Sequence, residues 1–105
     1  MELQNKMKLV RDKVPDVIRS NNQKAIFHVA NDQEYKEALL KKLEEEVKEF
    51  QHDKTAQELG DLLDIIDAIA FTFGFSKEYI EGERKKKNQE RGSFSKRVIL
   101  DKIGK

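Results

Sequence analysis

The middle of the chain reads EEVKEFQHDKTAQELGD over residues 45–61. Its first part continues an apolar pattern at helical spacing, and its last part opens a second such pattern. The polar stretch 51–54 between them predicts a tight connection. We therefore expect two helices joined as a hairpin, the first capped by Asn31 or Asp32 and the second running from about residue 56 to 73.

Outside this hairpin, turn and capping residues mark further elements. Ser76 predicts the start of a third helix that ends near Glu90, and Pro15 predicts the start of a short helix that ends near Ser20. Residues 25–30 predict an extended segment. The predicted fold class is all-α: a helical hairpin plus a third packing helix, with short irregular or extended basic segments at the ends. We expect one domain over residues 1–105.

Composition excludes several classes of protein. The 105 residues include 21 Lys and Arg against 20 Asp and Glu, which gives a net charge of +1. This balance argues against a globally basic nucleic-acid-binding protein. The chain has no cysteine, which excludes a zinc-thiolate site and a thiol nucleophile. Residues 1–8 contain no apolar run typical of a signal peptide, and we expect a cytoplasmic protein without a membrane segment.

Acidic side chains fall on the apolar sides of both hairpin helices. With Leu39 at zero and about 100° per residue, Glu46 lies at roughly 340°, inside the apolar arc, and Glu49 at roughly 280°, on its edge. On the second helix Glu58 lies within the apolar arc and Asp61 borders it. Two pairs spaced i and i+3 are therefore expected to face each other near the loop.

The outer side of the second helix has carboxylates of its own, Asp64 and Asp67, which we expect to point into solvent. The four inward carboxylates differ from these because we expect them to be partly buried. Burying a charged group without a partner costs several kcal/mol of folding free energy. A cation must therefore lie among them. Oxygen ligands without His or Cys suit Mg²⁺ or Mn²⁺. The alternative is a buried salt-bridge network with lysines, namely Lys42, Lys48 or Lys54.

Three motifs together resemble a known family. Residues 45–49 (EEVKE) and 58–61 (ELGD) resemble the EExxE…ExxD signature of the MazG-like superfamily, the all-α nucleoside triphosphate pyrophosphohydrolases. Residues 8–15 (KLVRDKVP) and 90–94 (ERGSF) resemble the KLVRDKIP and RGxF segments of its phosphoribosyl-ATP pyrophosphohydrolase-like branch. The motifs occur in the expected order and cover nearly the whole chain.

The resemblance implies an activity and a ligand set. The activity is Mg²⁺-dependent hydrolysis of a nucleoside triphosphate to the monophosphate and pyrophosphate, in a homodimer or homotetramer. The implied metal ligands are Glu46, Glu49, Glu58 and Asp61. Glu45 matches the leading acid of the signature.

The proposed chemistry also needs a proton acceptor and cations for the phosphates. Glu45 or Glu49 is the candidate that accepts the proton of the attacking water. Arginine suits bidentate contact with phosphate, and lysine offers a point charge. The expected substrate-binding residues lie in two basic groups: Arg11 with Lys8 and Lys13, and Lys87 with Arg91.

Two other functions remain open at this point. One is a helical module that binds metal or nucleotide without turnover. The other is a nucleic-acid-binding protein that uses the basic run 84–87, which the balanced charge and the absence of tryptophan disfavour. The end of the second helix is apolar nearly all round, at Phe71 and Phe73, which predicts a helix-mediated oligomer.

Overall fold

The structure is a computed structural model that describes residues 7–105. Within that range it consists of four α-helices and no strand: α1 (Val14–Ser20), α2 (Asp32–His52), α3 (Ala56–Thr72) and α4 (Lys77–Arg91). The predicted all-α class is therefore confirmed. The expectation that no signal peptide is present concerns residues 1–8, most of which lie outside the described residues.

Three helices begin where the sequence predicts. In each, the N-cap side chain accepts a hydrogen bond from the backbone N–H three residues on: Asn31 from Glu34 at 2.9 Å, Thr55 from Glu58 at 3.2 Å, and Ser76 from Tyr79 at 3.1 Å. These bonds satisfy N–H groups that have no partner inside the helix. The predicted caps at Asn31 and Ser76 are confirmed, and the cap at Thr55 agrees with the predicted start of the second helix near residue 56.

Glycine ends α4 and follows the end of α3. Gly74 has φ of 83° and Gly92 has φ of 82°, both in the left-handed region. Glycine adopts this conformation without the steric penalty that a Cβ atom brings. The chain can therefore leave each helix sharply at these residues.

Helices α2 and α3 pack against each other as the predicted hairpin. Residues 53–55 connect them, and such a short connection makes the helices antiparallel neighbours. Leu39 on α2 is completely buried, and it is the one large apolar side chain of the described residues with that status. The core that a single copy builds is therefore thin.

Local contacts connect α1 with the segment that follows it, ahead of the hairpin. Residues 25–30 are neither helix nor strand, as the sequence predicts. Arg19 donates a hydrogen bond to the carbonyl oxygen of Ala25 at 2.8 Å, and its guanidinium lies 5.2 Å from the centre of the Phe27 ring. These contacts fold the segment back on α1.

The chain divides into two compact units, Met1–Phe73 and Gly74–Lys105. The first contains α1 and the hairpin, and the second contains α4 and the C-terminal tail. In the second unit the rings of Phe75 and Tyr79 stack with centroids 6.4 Å apart. None of the helices in the described range is both long enough and apolar enough to cross a bilayer. A single domain over residues 1–105 stays a prediction.

Candidate functional site

Three carboxylates from the two hairpin helices converge. Glu46 on α2 and Glu58 and Asp61 on α3 each place an oxygen within 4.8 Å of the others. Glu46 is buried, and the other two are half-buried. We call these three residues the acidic triad. It contains three of the four residues that the sequence places at the loop end of the hairpin.

The start of α3 leaves the carboxylate of Glu58 available for the triad. In a complete capping box, the Glu side chain accepts a hydrogen bond from the N–H of the N-cap residue. Here the N–H of Thr55 donates instead to the carbonyl oxygen of Asp53 at 2.9 Å. The Thr55 hydroxyl still holds the backbone of Glu58, so the cap fixes the position of Glu58 without using its charge.

Glu58 lies in a locally negative environment. Partial removal from water raises the pKa of Glu58, and the negative charges of Asp61, Glu49 and Glu46 raise it further. Among the described residues, no ion pair or side-chain hydrogen bond reaches its carboxylate. A cation placed between these groups would therefore stabilise the ionised site.

Lysines neutralise the α2 side of the site. The Nζ of Lys42 lies 3.3 Å from Oε1 of Glu46 and 3.3 Å from Oε1 of Glu45, and the Nζ of Lys8 lies 3.4 Å from the same Glu45 oxygen. Partial burial acts to raise the pKa of Glu45, but the hydrogen bonds and charges of Lys42 and Lys8 outweigh it, so this pKa is lowered. Glu45 is therefore held ionised between two ammonium groups.

Arg11 neutralises the α3 side. Its Nη2 donates hydrogen bonds to Oδ1 of Asp61 and to Oδ2 of Asp64, both at 2.7 Å. The hydrogen bond to Asp64, followed by the one to Asp61, raises the pKa of Arg11 above its usual value. Lys8 contacts α2 and Arg11 contacts α3, so the segment of residues 8–11 reaches both helices beside the triad.

Asp64 is a site residue that the sequence prediction missed. It is exposed, as expected, but it does not serve solubility alone because it accepts the second hydrogen bond of Arg11. A usable signal was present: Glu58, Asp61 and Asp64 recur at three-residue intervals, which brings successive side chains to one edge of a helix. Nothing in the local pattern, however, indicates which distant cation meets that edge.

The other predicted site residues lie outside the triad. Glu49 is exposed, although its charge acts on Glu58. Lys13 is the exposed N-cap residue of α1, and its side chain makes no capping hydrogen bond. Lys87 and Arg91 lie four residues apart on α4, in the second unit. The roles of these four residues in catalysis, metal binding or substrate binding stay predictions.

The lysine network that the sequence left open is present in part. Lys42 takes the predicted place beside Glu46, whereas Lys54 donates to the backbone carbonyl oxygen of Gln51 at 2.6 Å instead of to an acid. Lys42 contacts one oxygen of Glu46 and Arg11 one oxygen of Asp61. Each of these carboxylates retains a second oxygen, and Glu58 retains both. The triad therefore keeps a set of oxygen donors of the kind that Mg²⁺ and Mn²⁺ prefer.

Comparison with known proteins does not add to this picture. No protein-family model matches the chain, no curated protein matches it, and no solved structure matches it. The function is therefore inferred from the residues of the site and from the motifs that contain them.

Proposed function

We propose that the chain is a Mg²⁺-dependent nucleoside triphosphate pyrophosphohydrolase of the MazG-like type. It hydrolyses the bond between the α- and β-phosphates and releases a monophosphate and pyrophosphate. One observation supports this most strongly: the oxygens of Glu46, Glu58 and Asp61 come within 4.8 Å of one another from two different helices. These residues belong to both halves of the acidic signature.

The donor set fits a hard divalent cation. The triad offers only carboxylate oxygens, and its most buried member, Glu46, has 10% of its side-chain surface exposed. Glu58 lies among like charges without a cationic partner in the described part of the chain. In the proposal Glu46, Glu58 and Asp61 hold the ion, and Glu49 beside them is the acid that accepts a proton. Bound there, Mg²⁺ would screen the charge of the triphosphate and acidify the attacking water.

The protein's own cations would bind the phosphates. Lys8 and Arg11 already lie beside the acidic helices, where the charge of a triphosphate would arrive with its metal ion. Arg11 is exposed over 61% of its side chain, so it can change partners without opening the core. Lys13, Lys87 and Arg91 are further proposed contacts because arginine and lysine bind phosphate oxygens through charged hydrogen bonds.

Glu49 is the better candidate for the proton acceptor. The alternative, Glu45, holds two ammonium groups on one oxygen, those of Lys8 and Lys42. A carboxylate in that position is a weak base because protonation would have to displace those cations. Glu49 is exposed and lies close enough for its charge to act on Glu58. We therefore assign the water proton to Glu49.

The test is pyrophosphate release from a panel of nucleoside triphosphates in the presence of Mg²⁺. We expect wild type to release pyrophosphate, and Glu46→Gln to lose about 100-fold or more of that rate because it removes a triad oxygen charge. Asp67→Asn is the matched control, since Asp67 is an exposed acid on α3 outside the triad. Release of orthophosphate alone, or equal rates for the two variants, would contradict the proposal.

A second candidate is a module that binds metal and nucleotide without turnover. It is favoured by the ion pairs already present, Lys42 with Glu46 and Arg11 with Asp61, because they partly neutralise the acids and still leave one oxygen of each carboxylate for a metal ion. This module would bind a nucleotide only in the presence of Mg²⁺ and would release no pyrophosphate from any substrate. The same panel, run beside a binding measurement, separates the two functions.

A further inference from the structure

We propose that Arg11 partly neutralises the acidic triad and that a divalent ion competes with Arg11 for Asp61. Asp64 then keeps Arg11 beside the site when the ion binds. This inference rests on the function proposed above. It adds a regulatory contact and a positioning residue, Asp64, that the signature motifs do not contain.

The geometry of Arg11 carries the first step. A single nitrogen, Nη2, donates to Asp61 and to Asp64 at 2.7 Å each, so one guanidinium group bridges a triad member and a residue outside the triad. Both distances are those of strong charge-assisted hydrogen bonds. The two bonds link residues 50 and 53 positions apart in sequence, so they fix the N-terminal segment on α3.

Competition follows from the shared carboxylate. A divalent ion among the oxygens of Glu46, Glu58 and Asp61 would draw on the same negative charge that now attracts Arg11. Binding of one cation therefore weakens binding of the other, and the coupling is equal in both directions. Lys8 differs because its partner, Glu45, is not a member of the triad.

Asp64 gives the displaced arginine a second partner. When the charge of Asp61 is taken up by the ion, the bond from Nη2 to Asp64 can persist, because Asp64 lies one turn further along α3 and is 59% exposed. Arg11 would then stay beside the site with donors free for an anionic phosphate. Asp64 thus acts through Arg11 and does not itself touch the substrate.

Calorimetric titration with Mn²⁺, without nucleotide, tests the competition. We expect Arg11→Gln to bind Mn²⁺ about two- to fivefold more tightly than wild type, the range that corresponds to losing one exposed ion pair. Lys8→Gln is the matched control, because it removes the same charge from the same segment. We expect the logarithm of its Mn²⁺ affinity to rise by less than half as much as that of Arg11→Gln.

The outcomes separate this inference from the proposed function. If wild type binds Mn²⁺ and Arg11→Gln binds no more tightly, or no more tightly than Lys8→Gln, competition by Arg11 is refuted while the metal site stands. If neither wild type nor the variants bind Mn²⁺, both the inference and the proposed metal site are refuted. A selective gain in Arg11→Gln supports the inference.

Hydrogen exchange of the Arg11 guanidinium, followed by ¹⁵N NMR, tests the role of Asp64. With Mn²⁺ replaced by diamagnetic Mg²⁺ at saturation, we expect slowed exchange in wild type and in Asp67→Asn, and exchange as fast as that of a solvated arginine in Asp64→Asn. Equal exchange in Asp64→Asn and Asp67→Asn under these conditions would overturn the positioning role.

Discussion

Glu46 and Lys42 form an ion pair that is largely withdrawn from water. Their side chains are 10% and 15% exposed, and the nitrogen lies 3.3 Å from the carboxylate oxygen. Such a pair adds little over an apolar pair of the same shape, but removing one partner leaves a desolvated charge without compensation. Lys42 is therefore needed by Glu46 whenever no other cation is near.

Replacement of Lys42 tests this dependence. We expect Lys42→Met to lower the free energy of unfolding by about 1–3 kcal/mol, because Glu46 is left without its charged hydrogen-bonding partner. The measurement is urea denaturation followed by circular dichroism in EDTA. Lys41→Met, at the exposed neighbouring position, is the control. If the two variants are equally stable, Lys42 does not compensate Glu46.

The N-terminus of α3 is both a helix cap and part of the site. The hydroxyl oxygen of Thr55 accepts a hydrogen bond from the N–H of Glu58, and the N–H of Thr55 donates to the carbonyl oxygen of Asp53. The helix thereby begins with only one of the two hydrogen bonds of a capping box. The carboxylate of Glu58, which would make the other bond, belongs to the triad instead. The hydroxyl group of Thr55 therefore helps to fix the position of Glu58.

Two substitutions of Thr55 isolate that hydroxyl. Thr55→Ala should destabilise the protein by about 1 kcal/mol, the usual effect of losing an N-cap side chain, whereas Thr55→Ser should remain close to wild type because it keeps the acceptor oxygen. Thermal or urea unfolding measures both. Equal destabilisation by the two substitutions would show that the methyl group of Thr55, and not the cap, is what matters.

The helix starts could be predicted because a cap involves residues three positions apart. Asn31, Thr55 and Ser76 each act on a backbone N–H that the sequence pattern already identifies. The approach of Glu46 to Asp61 was likewise predictable, because helix geometry and a short connection place both residues at a similar distance from the loop. The partner of Asp64 was not, since Arg11 lies 53 positions away and no local periodicity encodes a pairing at that separation.

The hairpin leaves much apolar surface exposed. Leu63 is 62% exposed, and further apolar side chains of both helices are 39–48% exposed: Leu40, Val47, Leu59 and Ile66. Large apolar side chains that stay exposed on a helix pair are typical of a site where another helix packs. We therefore propose a homodimer or homotetramer in which hairpins share a larger core.

Sedimentation at micromolar concentration tests this assembly. We expect wild type to be dimeric or tetrameric and Leu63→Glu to shift towards monomer, because a charge on the apolar face opposes burial. Gln57→Glu adds the same charge at an exposed polar position of the same helix and should leave the assembly intact. Monomeric wild type, or equal behaviour of the two variants, would contradict the proposal.

The three-residue connection between α2 and α3 also bears on the order of folding. We expect contacts across so short a loop to form early, because closing it loses little chain entropy. The bonds from Lys8 to Glu45 and from Arg11 to Asp61 span 37 and 50 positions, so we expect them to form after the hairpin. During that interval the opposed acids repel each other without these cations, and dissolved salt should therefore accelerate hairpin closure by screening them.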